Sequence, residues 1–188
     1  MCDGGSLPNR LVRGNFKRWN DINFSAVNLK PGATAPDFIG LFASGGIKGY
    51  GFDGSGVLTE ELHGSEEILH GAIENVDADV HIHWMPVNAG AGQVLWQVEF
   101  NMVKQGVVAG APTILSAVQA TNSQAWEGFY LDLGNISASD IQIGNQLHIR
   151  VFRDPSDSSD TYTGDAVLSG VGIHYRVDDI GSRAEKVK

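Results

Sequence analysis

Two histidines stand two residues apart in Asp79-Val80-His81-Ile82-His83-Trp84. In an extended strand that spacing puts both imidazoles on one face, with Cα atoms about 7 Å apart, close enough to grip one metal ion. Gln97, Glu99 and Asn101 occupy polar positions of the next alternating run. Closing the loop around Ala89 as a hairpin sets His81 opposite Gln97, with Glu99 one diagonal away. His148 and His174 lie on polar positions of two further runs. The plainer use of these four histidines is packing, against one another or against a neighbouring subunit, with imidazoles titrating near their ordinary value of about 6.5.

Other chemistry has weaker support. The chain has no G-x-S-x-G, and its one cysteine, Cys2, is terminal. Gly51-Phe52-Asp53-Gly54-Ser55-Gly56 is glycine-rich but opens no helix, so it reads as a turn and not a phosphate cradle. Asp154, Asp157 and Asp160 are spaced as in loops that bind Ca²⁺ adventitiously, or simply form a solvated loop. Glu60-Glu61 and Glu66-Glu67 read as exposed faces, and no carboxylate pair can be placed with glycosidase geometry.

The elements that must position these residues are strands. Strict polar–apolar alternation recurs at 79–84, 93–102 and 172–177, the pattern of half-buried antiparallel strands. Strands are predicted at 38–43, 47–52, 57–63, 80–84, 93–103, 113–121, 126–133, 146–152 and 167–177, with a weaker one at 68–73. A single helical turn is predicted at 137–141, with Ser137 as its cap and Asp140 as box partner. Turn signals recur every 8–12 residues or so, the spacing of sandwiches and barrels. The 24 glycines in 188 residues suit many tight turns. The expected fold is all-β: an antiparallel two-sheet sandwich of jelly-roll type. Its apolar face comprises Val80, Ile82, Trp84, Val94, Trp96, Val98, Phe100, Leu147, Ile149, Val151, Ile173, Tyr175 and Val177. An extended N-terminal arm at 1–36 precedes the sandwich at 37–180, and a charged tail follows at 181–188.

Charge is uneven. The net is −9, yet residues 1–30 hold Arg10, Arg13, Lys17, Arg18 and Lys30 against Asp3 and Asp21. A basic arm on an acidic body suits docking to an acidic surface, or a solvated tail. The acidic body argues against a nucleic-acid groove. No apolar run approaches the ~20 residues of a membrane span. Asp3-Gly4-Gly5-Ser6 is no hydrophobic region, so no signal peptide is expected.

Two resemblances bear on function. The H-x-H on a jelly roll resembles a fragment of the cupin pattern, but Pro86, Val87 and Asn88 stand where cupins carry their glutamate. Gly172-Ile173-His174 lacks the setting of the second cupin motif. A metal-dependent enzyme is therefore the remote reading, and no cofactor, metal or catalytic residue is expected. A broader likeness spans most of residues 19–183. It is carried by Trp19-Asn20-Asp21-Ile22, by Glu60-Glu61-Leu62 leading to His70, and by Val80-His81-Ile82-His83-Trp84-Met85-Pro86 with Val94-Leu95-Trp96-Gln97-Val98-Glu99-Phe100. Further along come Arg150-Val151-Phe152-Arg153-Asp154, Asp160-Thr161-Tyr162-Thr163-Gly164-Asp165-Ala166 and the run 172–183. In these the chain resembles a family of tailed-bacteriophage virion proteins with a jelly-roll domain.

The resemblance implies a trimeric, non-enzymatic virion component, a capsid decoration (cement) protein or a fibre domain. In the cement reading the arm lies across the major capsid protein, with Arg10, Arg13, Phe16, Lys17, Arg18, Trp19, Ile22 and Phe24 as contacts. His81, His83, His148 and His174 are then candidates for a subunit interface. The other reading is a tail-fibre or receptor-binding module that recognises host glycan through exposed aromatics such as Trp126 or Tyr162. Partners are the capsid protein and other copies of the chain, with no nucleic acid and no membrane. The place is the virion, on the capsid surface rather than the tail.

Overall fold

The computed structural model describes residues 18–42 and 46–178. Eleven strands run through them: β1 Arg18–Ser25, β2 Lys30–Pro31, β3 Asp37–Leu41, β4 Ile47–Phe52, β5 Glu60–Glu67, β6 Ala78–Pro86, β7 Gln93–Val103, β8 Thr113–Ala120, β9 Phe129–Ile136, β10 Gln146–Arg153 and β11 Ala166–Val177. All pairings are antiparallel. One sheet has the order β3-β4-β11-β6-β9, and β1 joins β11 beside it; the other has the order β2-β5-β10-β7-β8. From β4 to β7 and again from β8 to β11 successive strands fall in opposite sheets, β7 and β8 being neighbours in one sheet, so the all-β sandwich expected from the alternation is the fold.

The core lies between the sheets and follows the period-2 pattern. Val80, Ile82 and Trp84 from β6 face Val94, Trp96 and Val98 from β7 across it, and β10 and β11 add Leu147, Ile149, Val151, Ile173 and Tyr175. Trp84 and Trp96 approach at 6.3 Å between ring centroids. Val177 is only half-buried, at the rim of this cluster.

Four expectations are corrected. First, part of the expected arm belongs to the sandwich. Residues 18–25 form β1, paired with β11 over eight positions, and β2 pairs with β5. Ile22 and Phe24 alternate with Asp21 and Asn23, so both enter the core. Second, β6 and β7 do not form a hairpin. The Asn88–Gly92 loop carries the chain from one sheet to the other, and Gln97 lies opposite Phe152 and Ser116, not His81. Third, 68–73 is not a strand. It is a turn in which Ala72 makes an isolated bridge to Val177. Fourth, the turn at Ala138–Asp140 is not capped by Ser137. The Ala138 N–H donates to Asp77 Oδ1 at 2.7 Å instead, and Asp140 pairs with Lys104 at 3.1 Å.

The 154–165 loop closes one end of the sandwich through a buried ion pair. Arg153 donates twice to Asp160, at 2.8 Å each, and also to the carbonyls of Phe52, Gly164 and Tyr162. Asp160 Oδ2 also accepts from the Leu95 N–H. Asp154 and Asp157 accept from Ser156 and Ser159 in their own turns, so the three aspartates hold the loop rather than converge on a cation.

Candidate functional site

The outward face of the β1-β11-β6-β9 sheet carries rings where a solvated sheet face usually carries polar side chains. Register explains how they meet. His81 sits between Gly172 of β11 and Asp132 of β9; one pair further along the sheet, His83 sits between Gly170 and Tyr130. On the other side of His81, His174 sits between Asp21 of β1 and Asp79 of β6. Trp19 lies opposite Arg176.

Gly172 is what lets His81 lie down. A Cβ at this position would collide with the imidazole. Freed of that obstacle, the His81 ring leans over β11 toward His174, with centroids 4.3 Å apart. Its other neighbours are Tyr130, stacked at 4.7 Å, and His83, edge-on at 5.0 Å. His81 is only 4% exposed. Burial, then the His174 and His83 imidazoles, hold its pKa below the ordinary histidine value. Its Nδ1 is buried with no hydrogen-bond partner. His174 Nε2 meets Asp21 Oδ1 at 2.8 Å. Arg176 stacks over Trp19 with Cζ 3.8 Å from the ring centroid. Trp19 and Tyr130, both 49% exposed, form the outer surface of this cluster.

Beside Tyr130 the face dips into a depression of about 450 Å³, lined by His83, Met85, Phe129, Tyr130 and Ser169 among others. A β-bulge at Ser169 between Leu168 and Gly170 interrupts the β11–β6 register there. Past the end of β6, the Trp126 N–H donates to Pro86 O at 2.7 Å. Phe42, from the β3–β4 hairpin, packs on Trp126 at 5.4 Å. Both residues have positive φ, 59° and 65°. For bulky side chains that conformation is a genuine outlier, held in place by surrounding structure.

The expected site residues divide as follows. His81, His83 and His174 come together; His148 does not, because it is on β10 and points outward from the opposite sheet, between Ser65 and Asn101. Ile22 and Phe24 are inside the core and so are not available to a capsid. Arg18 and Trp19 are exposed on β1, while Arg10, Arg13, Phe16 and Lys17 lie outside the described residues. Tyr162 is no platform: it is buried, and its hydroxyl accepts from the Asn88 N–H and donates to the Asn88 carbonyl. Trp126 is half-buried against Phe42.

Sequence reading missed Tyr130, which is central to the cluster, because it was absorbed into an ordinary strand. Trp19, expected in an arm, is the other exposed ring. Among the described residues, no group of three or more His, Cys, Asp or Glu side chains is arranged to hold a metal ion. No helix among them is long and apolar enough to cross a membrane.

The chain matches no known protein-family model and no curated protein. Among solved structures it is similar to a chain of infectious bursal disease virus, Gx strain, at 12% identity over 88% of this chain and 34% of that one, with a TM-score of 0.42. It is also similar to the Clostridium thermocellum endo-1,4-beta-D-xylanase 10B CBM22-1-GH10 modules complexed with xylohexaose, at 12% identity over 82% and 25%, TM-score 0.38. A third is TmCBM61 in complex with beta-1,4-galactotriose, at 10% identity over 86% and 88%, TM-score 0.36. The chain spans about a third of the length of the first of these. All three scores are below 0.5, so no residue role or ligand is carried across.

Proposed function

We propose that this chain is a non-enzymatic virion structural protein, a capsid decoration subunit that associates with copies of itself through the ring-lined face of the β1-β11-β6-β9 sheet. The observation that carries this reading is the ring cluster of Trp19, His174, His81, His83 and Tyr130, which presents two half-exposed aromatic side chains outward. Rings assembled this way suit a contact surface, where Trp and Tyr supply large apolar area with little side-chain entropy to lose. Three-fold association and seating on the major capsid protein follow from the resemblance stated above and belong to the same proposal. Arg18 and Trp19 are the described residues placed to extend that contact toward a capsid.

The test is the mass of the purified chain in solution together with its co-sedimentation with capsids. Substituting Tyr130→Ala or Trp19→Ala is expected to reduce assembly, each costing about 2 kcal/mol if it anchors the contact. Unchanged assembly and capsid binding in both variants would reject this face as the contact.

A second reading has its own support in the depression beside Tyr130 and the strained Phe42–Trp126 pair. An aromatic edge with His83 and Ser169 nearby suits a shallow glycan site on a fibre-type module. Saturable binding of oligosaccharides by the wild-type chain, lost in Tyr130→Ala, would favour this reading over the first.

A further inference from the structure

Both half-exposed rings of the sheet face stand on histidine. Tyr130 packs on His81 at 4.7 Å and on His83 at 5.5 Å between ring centroids. Trp19 meets His174 at 6.4 Å and the Arg176 guanidinium at 3.8 Å. His81 joins the two groups, with His174 4.3 Å away. Three of these four supports are imidazoles, which change charge between about pH 5 and 8.

A proton on His81 has no place in this arrangement. An imidazolium donates from both ring nitrogens. Nδ1 of His81 is buried and has no hydrogen-bond partner, so its N–H would meet no acceptor, whichever tautomer the neutral ring adopts. The titratable and charged groups around it come from four strands. β6 supplies His83 and Asp79, β11 supplies His174 and Arg176, β1 supplies Asp21, and β9 supplies Tyr130 and Asp132. The carboxylates are engaged elsewhere. Asp21 meets His174 at 2.8 Å, Asp132 accepts from the Gly134 N–H at 2.8 Å, and Asp79 stands opposite His174 and not His81. His174 and His83 repel a positive charge on His81 once they carry one themselves. The face of the Tyr130 ring attracts a cation, but that gain is smaller than the cost of a charged donor buried without an acceptor.

We infer that the cluster is an acid switch of the ring-lined face: protonated His81 leaves its berth over Gly172, Tyr130 loses the ring it stacks on, and copies held through this face are released. The release rests on the reading of this face as the contact between copies; the ring movement does not. Burial and the neighbouring imidazoles hold the His81 pKa below the ordinary histidine value, so the switch operates below pH 6.5. Each proton taken up on release weakens association by up to about tenfold per pH unit.

The test follows the purified full-length chain from about pH 7.5 down to about pH 5, the span over which imidazoles titrate. Histidine and tyrosine ring resonances report the cluster, sedimentation reports the mass of the assembly, and circular dichroism checks that the sandwich stays folded. In the wild type the Tyr130 resonances should move with the titration of His81, and the assembly should fall to single copies over the same interval. His81→Gln should keep its assembly at the acid end. His174→Gln, at a partly exposed position, should shift the His81 transition to higher pH, because a repelling imidazole is gone and Asp21 is freed. That shift remains the check should His81→Gln not fold. Tyr130 resonances that stay fixed while His81 titrates, a folded wild type that keeps its assembly at the acid end, or a His81→Gln variant that releases as wild type does, overturns the inference. Single copies at every pH would count against the function proposed above, and the coupled ring movement, present or absent, then decides the switch.

Discussion

Gly172 and His81 show how one missing side chain builds the site. Gly172→Ala puts a methyl group where the imidazole lies, and a small-to-large change in a packed place costs typically 1–3 kcal/mol. The expected result is a lower thermal midpoint, together with an NMR shift of the His81, His174 and Tyr130 ring resonances that a remote destabilising substitution does not produce. His81 also gives the molecule a pH dependence. Its folded-state pKa is depressed, so the folded protein takes up this proton less readily than the unfolded chain does. The stability from neutral His81 is therefore complete above its ordinary value of 6.5 and is lost as pH falls below it. The charged and titratable groups around it, His83, His174, Asp21 and Asp132, are too few in carboxylates to reverse that sign. Thermal midpoints measured downward from neutral pH should fall for wild type and change less for His81→Gln. Glu60 and Asp165 act with the opposite sign at lower pH, because burial raises both. The H-x-H spacing revealed in the sequence that His81 and His83 share an outward face. It could not reveal their neighbours, because Tyr130, Gly172 and His174 reach them through pairings of strands far apart in the chain.

Strand placement was legible wherever alternation ran long. β4 and β7 match their expected limits, and β6, β8, β10 and β11 differ by a few residues at the ends. β1 was missed because only Ile22 and Phe24 mark its buried face, in a setting of Asn and Asp that reads as loop. The hairpin drawn between β6 and β7 failed for a reason of connectivity. A five-residue glycine-containing loop can turn a chain back beside itself or carry it across to the facing sheet, and period-2 patterning is the same in both cases. The loop after β10 decides closure at that end, and its strength lies in Arg153. Arg153→Met leaves Asp160 buried without its counter-charge and should cost about 3–5 kcal/mol, measurable by urea denaturation. Pairing it with Asp160→Asn should recover part of the loss, because the stranded charge is then gone. No recovery would mean that the carbonyl contacts to Phe52, Gly164 and Tyr162, and not the ion pair, hold the loop.

At the scale of the whole molecule, the sandwich carries one ring-lined face, built by β1, β11, β6 and β9, which is the contact surface in the function proposed above. Composition announced an acidic body with a basic N-terminal stretch, but it did not show that the stretch is anchored from Arg18 onward by pairing with β11. That anchoring narrows what the N-terminal region can reach, since Ile22 and Phe24 are committed to the core and Trp19 to the ring cluster. The measurement that tests the proposed function most directly is electron cryomicroscopy of viral capsids incubated with the purified chain. The account predicts sandwich density repeated on the capsid lattice, with Trp19, His83 and Tyr130 buried between neighbouring copies. Capsids that gain no such density, or density with that face open to solvent, would contradict it.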